Sequence, residues 1–257
     1  MPAPPAPHAH TKPLASPHPP RMPRAARTYH HGDLRRALLD AALQIVRREG
    51  MAALTLRAVA RRAGVSHQAP YNHFADRDAL VAAVAQEGFE RLAAALAKAR
   101  ADAGADNPVG QLQEGGVCYV VFAVEHPELF RVMFGPELAD RSTHPELSRA
   151  ARAVFNDLLA PAGTLLARPL SGGDAVGVTL WAAVHGLAML LIDNQVPPPA
   201  DASAPRAAVR RTRRAGGATA NAASADDART LVTPAAARQL ALSVTERLWF
   251  GMQPLVG

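Results

Sequence analysis

The chain has 257 residues, 49% of them hydrophobic, with 28 Lys+Arg against 22 Asp+Glu and a single cysteine. That much apolar chain excludes global disorder and can bury a sizeable core. One cysteine excludes a disulfide framework and any Cys-based zinc or iron–sulfur centre, while few aromatics and much alanine favour helix over sheet. The net charge of +6 is unevenly placed: residues 1–82 sum to +7 and residues 83–257 to −1. A basic head on a neutral-to-acidic body points to an anionic partner for the head.

In chain order, residues 1–28 are rich in Pro, Ala, His and Arg and read as a disordered arm. The arm lacks the apolar stretch of a secretory signal. Its histidines, His8, His10 and His18, with His30 and His31, read as solvated side chains, and no metal or cofactor is expected. From Asp33, a candidate N-cap, Leu34, Leu38, Ala41, Ala42, Ile45 and Val46 recur at helical spacing up to Gly50. Thr55 is placed to cap a second short helix whose Leu56, Val59 and Ala60 face inward, and Gly64 permits a sharp turn. Ser66 is placed to cap a third short helix through Tyr71 and Phe74, with Pro70 in its first turns. Asp76 or Asp78 starts a longer helix to about Ala103.

Further helices are expected at roughly 109–125, 127–134, 145–168, 174–195 and 234–250, punctuated by Pro127, Pro136, Pro145 and Pro169. Residues 197–232 lose all periodicity and include Arg206, Arg210, Arg211, Arg213 and Arg214, which reads as a disordered insertion. The run AVGVTLWAAVHGLAMLLI is uncharged and would reach about 27 Å as a helix, long enough for a membrane. His185 within it, aspartates at both ends and no flanking Lys/Arg cluster favour a buried or dimer-seam helix instead. The fold class is all-α, and no membrane association is expected.

The segment TLRAVARRAGVSHQAPYNHFADRDALVAA, from Thr55 to Ala83, has the layout of a helix-turn-helix. Gly64 reverses the chain, Val65 plugs the corner, and the N-terminus of the next helix faces phosphate. His67, Gln68 and Asn72 are placed to reach base edges, Gln68 suiting adenine; Tyr71, His73 and Arg77 suit phosphate oxygens. Phe74 reads as core, and Tyr71 as a packed ring with its hydroxyl outward.

The spaced residues Thr55, Val59, Ala60, Ala63, Gly64, Val65, Ser66, Tyr71, His73, Phe74, Arg77 and Leu80 resemble the N-terminal signature of the TetR family of transcriptional regulators. Two positions depart from it: Arg77 stands where the family usually has lysine, and Pro70 removes one N–H donor from the recognition helix. The resemblance implies phosphate or capping roles for Ser66, Tyr71, His73 and Arg77, and backbone contacts for Thr55 and Arg57. It also implies a three-helix DNA-binding domain over 29–82, followed by a helical effector-binding and dimerisation domain over 83–250. Trp181, His185 and Gly186 resemble the Trp…His-Gly motif of one C-terminal subfamily. Trp181 and His185 share a helical face, as a pocket wall or as a core tryptophan beside a backbone-bonded histidine.

Candidate pocket residues by type are Cys118, Tyr119, Phe122, Phe130, Met133, Phe134, Trp181, His185 and Met189, each open to the plainer reading of bundle core. Together they imply a small, hydrophobic, low-charge effector. Leu231, Ala237, Leu240, Ala241, Val244 and Leu248 form an apolar stripe that, with 174–195, suits a four-helix dimer seam. The expected function is a homodimeric repressor on a pseudo-palindromic operator of double-stranded DNA, released by its effector, in the cytoplasm. Two alternatives stand beside it. One is a sequence-tolerant architectural DNA-binding protein using the arm and the arginine stretch. The other is a helical enzyme with Cys118 as nucleophile and His126 or His185 as base. No Gly-rich phosphate loop, G-x-S-x-G or His-Glu-x-x-His supports catalysis, and no catalytic residue is assigned.

Overall fold

Helix α1, His31–Glu49, buries Leu38, Ala42, Ile45 and Val46 along one stripe, as the spacing of three and four predicts. Asp33 lies within its backbone rather than capping it, because the helix begins at His31. The computed structural model describes residues 31–138, 140–171, 173–196 and 232–253, with the side chains of 31–33 and 252 excepted. The arm 1–28 and most of the 197–232 segment, both expected to be disordered, lie outside the described residues. Eight α-helices and no strands occur among the described residues.

Helix α2 is Leu56–Ala63, and the Thr55 side chain accepts from Ala58 N at 3.1 Å, as a capping residue should. Its end is a Schellman motif: Val65 N donates to Ala60 O, Gly64 N donates to Arg61 O, and Gly64 has φ 70°. Only glycine takes that backbone without strain.

After the turn the expected third α-helix is absent. A four-residue 3₁₀ turn, Ala69–Asn72, stands there, and the Ser66 hydroxyl caps nothing in it. Pro70 is the physical reason. It has no N–H to donate to the Ser66 carbonyl, the bond with which an α-helix capped at Ser66 would begin. The Ser66 carbonyl instead takes the Ala69 N–H, and Tyr71 N reaches Gln68 O. Pro70 itself is buried against the head.

Helix α3, Arg77–Ala103, starts at Asp76, whose carboxylate accepts from Ala79 N at 2.8 Å. Its 27 residues reach about 40 Å and cross position 82 unbroken, so head and body share one helix. The body adds α4 (Pro108–Glu125), α5 (Pro127–Phe134), α6 (Pro145–Leu165), α7 (Ala175–Ile192) and α8 (Pro234–Met252). Helix α4 is central, packing against α3, α6, α7 and α8. At Gly116 a Cβ would come within 2.6 Å of Thr245 Cγ2, so this glycine is what lets α8 lie close. Helix α5 bridges the two parts by packing on both α3 and α1. One continuous set of buried side chains accordingly runs from Leu38 and Phe74 in the head to Phe89, Tyr119 and Phe130 in the body.

Candidate nucleic-acid interface and effector cavity

The helix-turn-helix face presents Arg57, Arg61, Ser66, His67, Gln68, Tyr71 and Asn72 to solvent. Arg57 and Arg61 have no ion pair among the described residues, whereas Arg62 bonds Glu49 at 2.7 Å. Tyr71 is 48% exposed and Phe74 is 3% exposed, so Phe74 belongs to the core and Tyr71 to the surface. His73 is half-buried at the end of the 3₁₀ turn. A single 3₁₀ turn carries little dipole, so attraction for phosphate at this face falls to side chains rather than to a helix end.

Arg77 sits differently from a free phosphate-seeking cation. Its Nε donates to Leu54 O at 3.1 Å and its Nη2 to Met51 O at 3.4 Å. The half-buried guanidinium thus fastens the first turn of α3 to the α1–α2 connection. Sequence reading passes over Arg61, which lies four residues beyond Arg57 on the exposed side of α2.

In the body, the nine residues singled out by type do not share one space. Tyr119, Phe130 and Met133 are fully buried. The Trp181 indole N–H donates to Tyr119 Oη at 3.3 Å, and Tyr119 Oη shares a hydrogen bond of 2.9 Å with His185 Nδ1. His185 is therefore bonded to a tyrosine side chain, where one of the two readings open from the sequence had a backbone partner. Phe130, Phe134, Trp181 and Tyr119 all pack rings against the His185 ring. This is a locked aromatic wall.

Phe134 and Trp181 of that wall also line a cavity of about 410 Å³, with Phe89 of α3, Arg141 of the α5–α6 loop, and Ser148, Arg152 and Phe155 of α6. The loop and α6 residues are absent from the candidates chosen by type. Ser148, Arg152 and Phe155 recur at spacings of three and four, a signal present in the sequence. Cys118 and Phe122 line a separate open groove of about 720 Å³ with Glu114 and Arg238. Met189 packs on the core from α7 without lining either space.

Burial, with Glu114 and Glu125 nearby, pushes the Cys118 thiol up to about 11. An activated nucleophile needs the opposite shift. No cluster of His, Cys, Asp or Glu suited to a metal ion occurs among the described residues.

A third cleft, about 740 Å³, lies where α1 meets the α4–α5 turn and the end of α7. His126 lines it, its pKa lowered by burial and then by Arg91 and Arg47 against the opposing pull of Glu125. Burial also lowers the pKa of His185. Both histidines stay neutral in the fold at pH values where the unfolded chain has begun to bind protons. Their contribution to stability is complete above the ordinary histidine range and is lost as pH falls through it. The thermal midpoint is therefore expected to drop between about pH 7.5 and 5.5, with a smaller drop in His185→Gln. An identical pH profile for the variant would remove His185 from this account.

Two family descriptions match the chain: "Bacterial regulatory proteins, tetR family" over residues 38–84, and "Tetracyclin repressor-like, C-terminal domain" over 112–212. Between them they cover more than half of its length. The chain belongs to the TetR family. The HTH-type transcriptional regulator BetI of Stenotrophomonas maltophilia (strain R551-3) is 37% identical over 79 residues, 31% of this chain. That match spans 40% of the BetI length. A Rhodococcus sp. RHA1 protein of unknown function shares 27% identity and a TM-score of 0.62, covering 88% of this chain and 98% of that one. The TetR-family transcriptional regulator PfmR from Thermus thermophilus has the same fold at 16% identity, with a TM-score of 0.50 and coverage of 83% and 93%. The all-α reading and the TetR resemblance of the sequence thus agree with architecture and family.

Proposed function

We propose that the protein is a cytoplasmic, homodimeric transcriptional repressor, whose two heads read successive major grooves of a pseudo-palindromic operator and whose body binds a small, largely apolar effector. The observation that carries the DNA reading is the helix-turn-helix face: Arg57 and Arg61, without ion pairs among the described residues, beside exposed Gln68, Tyr71 and Asn72, on a firmly buried three-element core. The aromatic cavity between α3, α5, α6 and α7 is the effector site, because it combines apolar walls with a few polar groups and an aqueous opening. Helix α5 couples the two, since it carries Phe134 at the cavity and packs on α1 of the head.

Dimerisation accounts for α7 and α8. Helix α7 is long and apolar enough to cross a membrane, yet packs on α4, α6 and α8. Its outer side leaves Val178 and Leu190 exposed, and α8 adds Phe250. A second copy covering these positions removes an apolar patch that water would otherwise meet. Sedimentation of the purified chain is expected to give twice the monomer mass without detergent.

Footprinting on the DNA upstream of the protein's own gene is expected to show one protected palindrome, relieved by effector. No protected palindrome there would sink the operator reading. Equal affinity for random duplexes, lost at moderate salt, would favour the architectural alternative. Gln68→Ala is expected to relax preference at one base position by about 1–3 kcal/mol, while Tyr71→Ala weakens binding to all sequences alike. A base-substitution profile unchanged in Gln68→Ala would remove Gln68 from base reading.

A further inference from the structure

The charge of the effector can be read from the same cavity, and this inference rests on the reading of that cavity as the effector site. Its walls are Phe89, Phe134, Phe155 and Trp181, yet its charged lining consists of Arg141 and Arg152, with no carboxylate among the described residues that line it. Arg141 is half-buried. Its guanidinium carbon stands 5.3 Å from the Phe89 ring centre and 5.8 Å from that of Phe134. Among the described residues its hydrogen-bond acceptor is a neutral carbonyl, Met133 O, at 2.6 Å from Nη2.

Several arginines elsewhere in the fold have carboxylates: Arg36 and Arg91 share Glu87, Arg62 has Glu49, and Arg131 has Glu128 and Asp193, while the unpaired Arg57 and Arg61 stand exposed on the helix-turn-helix face. Neither Arg141 nor Arg152 has one among the described residues. Burial lowers the Arg141 pKa. A half-buried cation facing an open, largely apolar space with donors to spare is suited to an anionic partner.

We propose that the effector is an amphiphilic monocarboxylate. Its apolar body lies between Phe89, Phe134, Phe155 and Trp181, and its carboxylate accepts from Arg141, with Arg152 attracting it at the rim. A cavity of about 410 Å³ suits a bicyclic aromatic acid or a medium acyl chain. Four aromatic rings alone would equally suit a quaternary ammonium ion, but two arginines on the lining oppose any cation. Ser148 and Asn156 add neutral hydrogen-bonding groups to the same wall. Arg141 also holds the Met133 carbonyl on α5, so an anion that draws the guanidinium inward acts on the helix that packs against the head.

The test uses the full-length protein without DNA and three matched probes: 2-naphthoate, 2-naphthylmethanol and 2-naphthylmethylammonium. Binding is read by calorimetry and by tryptophan fluorescence, since Trp181 lines the cavity. The carboxylate is expected to bind about 10- to 100-fold more tightly than the alcohol, with the ammonium weakest. Arg141→Gln should reduce naphthoate to about the level of the alcohol, with a much smaller loss for the alcohol itself. Arg152→Gln should give a smaller, salt-sensitive loss. Equal binding of acid and alcohol, tightest binding of the ammonium, retention of the preference in a folded Arg141→Gln, or no binding of any probe at millimolar concentration overturns the proposal. If Arg141→Gln fails to fold, the three-probe ranking on the unaltered protein and the Arg152→Gln series decide it. Because no DNA is present, a failed footprint and a failed carboxylate preference are separate results.

Discussion

Replacing Phe130 by alanine is expected to lower the stability of the protein by about 3–5 kcal/mol, more than any other single truncation in the aromatic wall. Phe130 is fully buried, and its ring meets those of Tyr119 at 5.6 Å, Phe134 at 4.8 Å and His185 at 5.6 Å. The surrounding side chains are tied to one another: Trp181 donates to Tyr119, Tyr119 shares a hydrogen bond with His185, and the indole lies tilted beside the imidazole with ring centres 5.3 Å apart. They cannot collapse into the space without breaking those bonds, so most of the cavity would persist, which places the cost toward the upper part of the range. The thermal midpoint should fall by roughly 6–20 °C for a chain of this size. Phe155→Ala is the matched control. Phe155 is half-buried at the rim of an existing cavity, so its removal enlarges a wet space and should cost visibly less. Equal losses for the two would mean that the aromatic wall is not the rigid centre of the body.

The same residues show how far the sequence could be read. Helices α1 and α2 are legible because their apolar positions repeat with a clean period and are bounded by Thr55, Gly50 and Gly64, whose local chemistry acts whatever the tertiary context. The third element departs from its expected α-helix although the cause stands in the sequence. Pro70 is tolerable within a first helical turn, but four residues past Ser66 it removes the N–H that would make the first α-helical bond, and a 3₁₀ turn with Ala69 N bonded to Ser66 O stands there instead.

In the body, residue type identifies the aromatic wall but cannot say which side of α4 each residue faces. Tyr119 and Cys118 are adjacent in sequence and about 100° apart around the helix, so one enters the wall and the other a different groove. Arg141 is invisible for another reason. It lies in a non-periodic loop between α5 and α6, and only the packing of Phe89 and Phe134 around it makes it a binding group. Met189, a candidate for its sulfur, serves packing. Helical period locates buried faces; it does not locate cavities, which depend on where neighbouring helices fail to meet.

Arg77→Ala separates two roles that the sequence merges. As a phosphate contact, Arg77 would lie open to solvent, and its loss would weaken binding while lowering the slope of log affinity against log salt by about 1. Its position favours a fastening role. Nε and Nη2 hold the Leu54 and Met51 carbonyls, immediately after the cap that Asp76 makes for α3. Truncation would leave two carbonyls at the α1–α2 connection without their charged donor, at an expected cost of about 1.5–3 kcal/mol. The midpoint should then fall by roughly 3–12 °C. Operator affinity should fall as well, because α2 and the 3₁₀ turn are positioned by that connection, but the salt slope should stay unchanged. Lysine at this position would supply a charge without the planar fork and should recover only part of the loss. A midpoint unchanged by Arg77→Ala, together with a salt slope reduced by one, would return Arg77 to the DNA surface and leave the α3 junction held by Asp76 and the buried Leu54 and Leu80 alone.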